Sequence, residues 1–201
     1  ITVEDIIRPL LVGVPVNIRA QSGAVPAPAT LTATDNCDTD VPVIFSEVVA
    51  VVDGCGTITR TWTATDACGN TTTATQTITV EDVIAPVLVG VPANITAQCG
   101  AVPAPANVTA TDNCDTDVPV IFSEVAAVVD GCGTITRTWT ATDNCGNTAT
   151  ATQTITVTDN TAPVFANVPA NVTVDCGAIP TAATVTATDN CDPTITVSFT
   201  E

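Results

Sequence analysis

Between Thr134 and Thr142 the chain reads Thr-Ile-Thr-Arg-Thr-Trp-Thr-Ala-Thr, so Ile135, Arg137, Trp139 and Ala141 fall on one side and threonines on the other. A period of two is that of a strand with one buried face. Residues 148–157 alternate in the same way, and the turn-forming string Asp143-Asn144-Cys145-Gly146-Asn147 lies between the two runs, which predicts a hairpin. Residues 107–111 and 118–124 predict two further strands around the polar loop 112–117. The entry segment 86–97 contains Pro86 and Pro92, which suits an edge strand broken in the middle, because proline cannot donate to a ladder. No stretch shows helical periodicity. Short strands separated by turn signals every ten or so residues predict an all-β antiparallel sandwich.

The whole pattern recurs. Ile1-Thr2-Val3-Glu4-Asp5 returns as Ile78-Thr79-Val80-Glu81-Asp82 and, altered, as Ile155-Thr156-Val157-Thr158-Asp159, at offsets of 78 − 1 = 77 and 155 − 78 = 77. Cysteines keep this register, since 114 − 37, 132 − 55, 145 − 68, 176 − 99 and 191 − 114 all equal 77. Constant spacing predicts tandem modules: residues 1–3 as the end of a preceding module's last strand, 4–80 as module one, 81–157 as module two, and 158–201 as an incomplete third. The chain is therefore expected to be a piece of a longer one. In the alternative, the chain ends at Glu201 and a neighbouring copy donates the missing strands, but residues 1–3 are too short to replace two strands.

The core of each module is thin, with Phe45 and Trp62 as the large aromatics of the first and Phe122 and Trp139 as those of the second. Small modules bury little surface and need covalent help. If successive strands run antiparallel, the loops holding Cys114 and Cys145 share one end of the sandwich, while Cys99 and Cys132 share the other. That topology predicts the disulfides Cys114 with Cys145, Cys99 with Cys132 and, in module one, Cys37 with Cys68. Ser22 stands where Cys99 stands in the next module, so Cys55 is expected to be unpaired. Cys176 and Cys191 are expected to find partners outside the window. Zinc is a poor alternative, because there is no His and no CxxC pair. Disulfides imply an oxidising, extracytoplasmic location.

The string Ala110-Thr111-Asp112-Asn113-Cys114-Asp115, then Thr138-Trp139-Thr140-Ala141-Thr142-Asp143-Asn144-Cys145-Gly146-Asn147, then Gln153-Thr154-Ile155-Thr156-Val157 resembles hyalin-repeat (HYR)-like modules. The likeness is to the cysteine-rich version that occurs in tandem in large secreted bacterial surface proteins. This resemblance covers the whole chain. It implies an immunoglobulin-like fold and an adhesive or structural role, with no catalytic residue and no defined ligand. Ser22 departs from the pattern, and Asp192-Pro193-Thr194 replaces Asp115-Thr116-Asp117, which weakens any acidic site in module three.

Four Arg, no Lys and no His against 21 Asp plus Glu give a net charge of −17, which repels nucleic acid and anionic membrane surfaces. No apolar run approaches the length of a membrane helix, roughly 20 residues. Without His, Lys or Tyr the chain lacks the usual general bases other than carboxylates, and Ser/His or Cys/His nucleophiles cannot be built. It is read as a non-enzyme with no required cofactor. The acidic residues suggest calcium at the module junctions, with Glu4, Asp5, Asp35, Asp38, Asp40 and Asp66 in module one and Glu81, Asp82, Asp112, Asp115, Asp117 and Asp143 in module two. Hard cations take roughly six to eight oxygens, and crowded carboxylates repel unless neutralised. The open alternative is that these Asp residues satisfy turn backbones. Arg60 and Arg137 lie on apolar strand faces and are expected to form salt bridges with Glu47 and Glu124. Asn70, Asn94, Asn107 and Asn171 begin N-glycosylation sequons, although threonine is also a favoured strand residue.

These readings lead to a structural component of an extracellular fibre, filament or surface stalk. Its partners are neighbouring modules and copies of itself. Residues 48–52 and 125–129 are read as buried strand, with a contact patch as the other reading. The runner-up function is an adhesin that binds a glycan or protein through module-end loops.

Overall fold

The computed structural model describes residues 4–200; the reading of residues 1–3 as the end of a preceding strand lies outside them. The described residues contain strands and no helix. The first repeat runs β1 Leu10–Val12, β2 Ile18–Gln21, β3 Thr32–Thr34, β4 Val43–Val52, β5 Cys55–Thr65 and β6 Thr71–Glu81. The second follows as β7 Val87–Val89, β8 Ile95–Gln98, β9 Thr109–Thr111, β10 Val120–Val129, β11 Cys132–Thr142 and β12 Thr148–Thr158, and the third supplies β13 Val164–Ala166 and β14 Thr186–Thr188.

The first repeat is a sandwich of a four-stranded and a two-stranded sheet, and the second repeat forms the same two sheets. The orders are β2-β6-β5-β4 with β1-β3, and β10-β11-β12-β8 with β7-β9. The entry segment supplies one strand to each sheet. In the second repeat β7 pairs antiparallel with β9, and β8, beyond Pro92, pairs parallel with β12. The chain thus changes sheets at the proline, as the broken-edge reading anticipates. The alternating hairpins are β5–β6 and β11–β12, with Trp62 opposite Ala74 in register.

The chain divides into two compact units. One comprises Ile1–Val89, Thr109–Val120 and Ala141–Ala149; the other comprises Gly90–Val108, Ile121–Thr140 and Thr150–Glu201. In the first unit, Leu11, Leu31, Val41, Trp62 and Ala64 form one cluster, while Ile58, Ile78 and Val80 form another. In the second, Ile135, Ile155 and Val157 pack with Ala97, Val102 and Val128. Trp62 is 1% exposed and its indole donates to the Ala29 carbonyl at 3.1 Å. Such a donor must find a partner when buried.

Two expectations change here. Phe45 and Phe122 are half-exposed rather than central, tilted against Trp62 and Trp139 at ring-centroid distances of 5.4 and 5.5 Å. Residues 48–52 and 125–129 are strand, but they continue edge strands β4 and β10, where Val48, Val49, Val52, Val125 and Val129 are exposed. Only Val51 and Val128 turn toward the core. The run reads as buried because it is uninterrupted and apolar, yet an edge strand on a thin sandwich has nothing to cover its outer side.

Candidate functional site at the repeat junction

The hairpin between β4 and β5 turns on two residues, Asp53 and Gly54, with Val52 opposite Cys55. Both have positive φ, 45° and 85°, the conformation of a two-residue turn whose twist matches the strands. The tip points into the loops of the next repeat. A Cβ at Gly54 would lie 2.7 Å from the Cβ of Cys114 and 3.2 Å from that of Asp82. Asp53 Oδ2 accepts from Asn144 Nδ2 at 2.6 Å, and the Asp53 carbonyl lies 3.4 Å from Cys145 Sγ. All of these residues belong to the first unit. The second junction is built alike within the second unit: Asp130 and Gly131 have φ of 46° and 76°, and Gly131 abuts Cys191 and Asp159.

Sulfur closes the contact. Cys55 is bonded to Cys145 and Cys99 to Cys191, with Cα–Cα distances of 5.7 and 6.0 Å. Cys37, Cys68, Cys114, Cys132 and Cys176 are free. The expected pairs Cys37 with Cys68, Cys114 with Cys145 and Cys99 with Cys132 are therefore replaced. Cys55 is bonded, and Cys191 finds its partner within the chain. The reason is geometric: antiparallel topology correctly sorts the cysteines to the two ends, but the forward end of one repeat abuts the entry loops of the next. Cys55 and Cys99 therefore meet their partner sulfurs across the boundary.

The acidic residues divide by what their oxygens do. Asp66 Oδ1 accepts from the amides of Cys68 and Asn70, and its Oδ2 from Asn70 Nδ2. Asp143 holds Asn147 in the same way. Asp38 Oδ2 accepts from the Ala67 amide and Asp115 Oδ2 from that of Asn144, each tying the two loops of one repeat together. Asp38 and Asp115 use Oδ1 on the amides of Asp40 and Asp117. Glu81 pairs with Arg19, and Glu4, Asp40 and Asp117 are exposed. The structure does gather smaller groups, with ligand atoms within 4.8 Å of one another: Asp5, Asp35 and Cys37; Asp82, Asp112 and Cys114; Cys99, Asp159 and Cys191. Asp82 is buried, and its Oδ1 accepts from Gln21 Nε2 and the Ile84 amide. Oδ2 of Asp35, Asp82, Asp112 and Asp189 has no partner. Two such oxygens at Asp82 and Asp112 can hold a hydrated divalent cation at two points but cannot enclose one.

The Cys114 amide, followed by that of Asp115, holds the Asp112 carboxyl below the usual range, against some desolvation. Asp189 is lowered by the equivalent amides of Cys191 and Asp192. At Asp66, desolvation pushes upward, but the Asn70 side chain and the amides of Asn70, Cys68 and Gly69 bring the carboxyl down.

Elsewhere, buried Arg60 donates from Nε to Glu47 Oε2 at 2.7 Å and from Nη2 to the Pro26 carbonyl at 2.7 Å. Arg137 does the same with Glu124 and Pro103. Among the sequon residues, Asn70 Nδ2 is engaged by Asp66 and the Asp5 carbonyl, and Asn94 Oδ1 by the Thr154 amide. Asn107 and Asn171 are exposed.

A family model described as an HYR-like domain with 4 cysteines matches residues 16–80 and again 87–157. The chain belongs to this family. HYR-like repeats are extracellular or cell-surface, adhesion-related and non-catalytic modules. No curated protein matches the sequence. Among solved structures, the HYR-like chain is similar to Drosophila N-cadherin EC1-3 at 17% identity, covering 76% of this chain and 68% of that one with a TM-score of 0.29. It is also similar to protocadherin gammaB7 EC3-6, a cis-dimer structure, at 16% identity, covering 84% of this chain and 55% of that one with a TM-score of 0.34. At these scores nothing about cations or assembly transfers from them. Among the described residues no helix is long and apolar enough to cross a membrane.

Proposed function

We propose that these HYR-like repeats are a non-enzymatic structural segment of an extracellular stalk or fibre, in which each repeat is locked onto the next. The observation that carries this is the Asp53-Gly54 tip of one repeat seated in the loops of the next and bonded there through Cys55 and Cys145. A joint held by packing, hydrogen bonds and sulfur resists bending, which a spacer between a surface and a distant contact needs and an enzyme does not. Copies of the chain are the natural lateral partners, because β4 and β10 present exposed Ile44, Val48, Val49, Ile121 and Val125 along unpaired sheet edges. Small-angle scattering and electron microscopy test the reading. Particles of fixed length under oxidising conditions, becoming variable on reduction, support it; a freely jointed length distribution before reduction sinks it.

The vacant Oδ2 atoms of Asp82 and Asp112 favour a second feature, a hydrated calcium ion at the junction. Chelator should then lower the melting temperature, and readdition of calcium should restore it; an unchanged melting curve removes the ion from this account. An adhesin reading remains distinct, because a glycan array probed with the chain gives no signal for a stalk and a saturable one for an adhesin.

A further inference from the structure

We propose that sulfur closes the boundaries between repeats in a fixed register, one bond spanning 90 positions and one spanning 92, with both bonds formed wherever all four cysteines are present. Cys37, Cys68, Cys132 and Cys176 are half-sites for further repeats of the same four-cysteine kind. This builds on the stalk reading only in taking the repeats as consecutive neighbours.

Translation by 77 residues assigns each cysteine a direction. Cys55 and Cys99 bond to the following repeat, so their equivalents Cys132 and Cys176 face forward as well. Cys145 and Cys191 bond to the preceding repeat, so their equivalents Cys68, Cys114 and Cys37 face backward. A repeat with all four cysteines therefore offers two forward and two backward sulfurs, while the first, with Ser22, offers a single forward one. A forward pair can be satisfied only by the backward pair of another such repeat.

Cys114 is the informative exception. Its partner position is 114 − 92 = 22, which Ser22 occupies. Everything except the sulfur is in place. The Ser22 amide donates to the Glu81 carbonyl at 2.9 Å as the Cys99 amide does to the Thr158 carbonyl at 3.0 Å. Gln21 reaches Asp82 as Gln98 reaches Asp159, and Gly54 abuts Cys114 as Gly131 abuts Cys191. Cys114 is consequently a half-covered thiol at a singly bonded boundary.

Closing each bond removes one proton and one electron from each of two thiols. A disulfide-bearing thiol oxidoreductase of the oxidising compartment, or oxidised glutathione in vitro, accepts the two electrons and leaves as two thiols.

The test is Ser22→Cys in the otherwise unchanged chain, refolded with oxidised glutathione and mapped by non-reducing peptide mass spectrometry. A peptide joining the sulfur introduced at position 22 to Cys114 is expected, with free thiols falling from five to four. A second variant carries a copy of residues 125–157 directly after Glu201, the position equivalent to Glu124. Here Cys132 is expected to bond to the copy's counterpart of Cys145. Recovery of Cys114 or Cys132 bonded to a cysteine of its own repeat overturns the register. So does persistence of the added sulfur and Cys114 as thiols in a chain whose circular dichroism matches the parent. Particle imaging that fails to find extended objects would sink the stalk reading while leaving these linkages intact.

Discussion

Asn144 Nδ2 and Asp53 Oδ2 meet at 2.6 Å across 91 positions of sequence. Hydrogen bonds to a charged acceptor are worth more than neutral ones, roughly 1.5–3 kcal/mol. Asp53→Asn retains a residue tolerant of the positive φ but removes the charge. It should cost about 1 kcal/mol of stability by urea denaturation, while Cys55–Cys145 still forms in the peptide map.

Gly54 and Gly69 separate the contact from the turn. Both have positive φ, 85° and 91°, but a Cβ meets Cys114 only at Gly54, and Gly69 faces open space. Alanine at either should cost about 1–2 kcal/mol for the left-handed backbone. Only Gly54→Ala should also expose the Cys114 thiol, read as faster reaction with a maleimide. Equal reactivity in the two variants would mean that the tip does not seat against Cys114.

Glu47 supports an arginine that is 4% exposed. Breaking a fully buried pair costs roughly 3–5 kcal/mol, and Glu47 itself is only part-covered. Glu47→Gln should therefore cost about 2 kcal/mol, and Glu47→Gln with Arg60→Met should recover part of it. A double variant as unstable as the single one would show that the arginine stem, not its charge, holds this face.

Asp66, Asp112 and Asp189 are held below the ordinary carboxylate range in the folded chain. A lowered folded pKa contributes stability that is present above the unfolded value, about 4, and is lost as pH falls through the folded one. The melting temperature should be flat near neutrality and fall below about pH 4. Asp112→Asn should flatten that fall. A melting temperature that rises on acidification would reverse the assigned sign.

Strict alternation made β5–β6 and β11–β12 legible in the sequence, because a period of two with threonine outside admits one register. The exposure of residues 125–129 was not, since an uninterrupted apolar run reads as buried strand, whereas here it continues edge strand β10 beside β11. Acidic spacing foretold crowded loops but could not tell which oxygens the backbone amides would occupy, as they do at Asp66 and Asp143. The junction itself carried a signal in the recurring Asp-Gly dipeptides at 53–54 and 130–131, the preferred pair for a tight hairpin. Where that hairpin tip lands depends on the next repeat, so no reading of one repeat could pair its cysteines.

The entry strand β2 lies parallel to the exit strand β6, from Ile18 beside Ile78 to Gln21 beside Glu81. Tension applied at the two ends of the repeat therefore slides these strands lengthwise past each other. Their hydrogen bonds must yield together rather than one after another, as they would in an antiparallel pair peeled from its end. The sandwich is thin when judged by its core, but it is loaded in shear, the direction in which a short ladder is strongest.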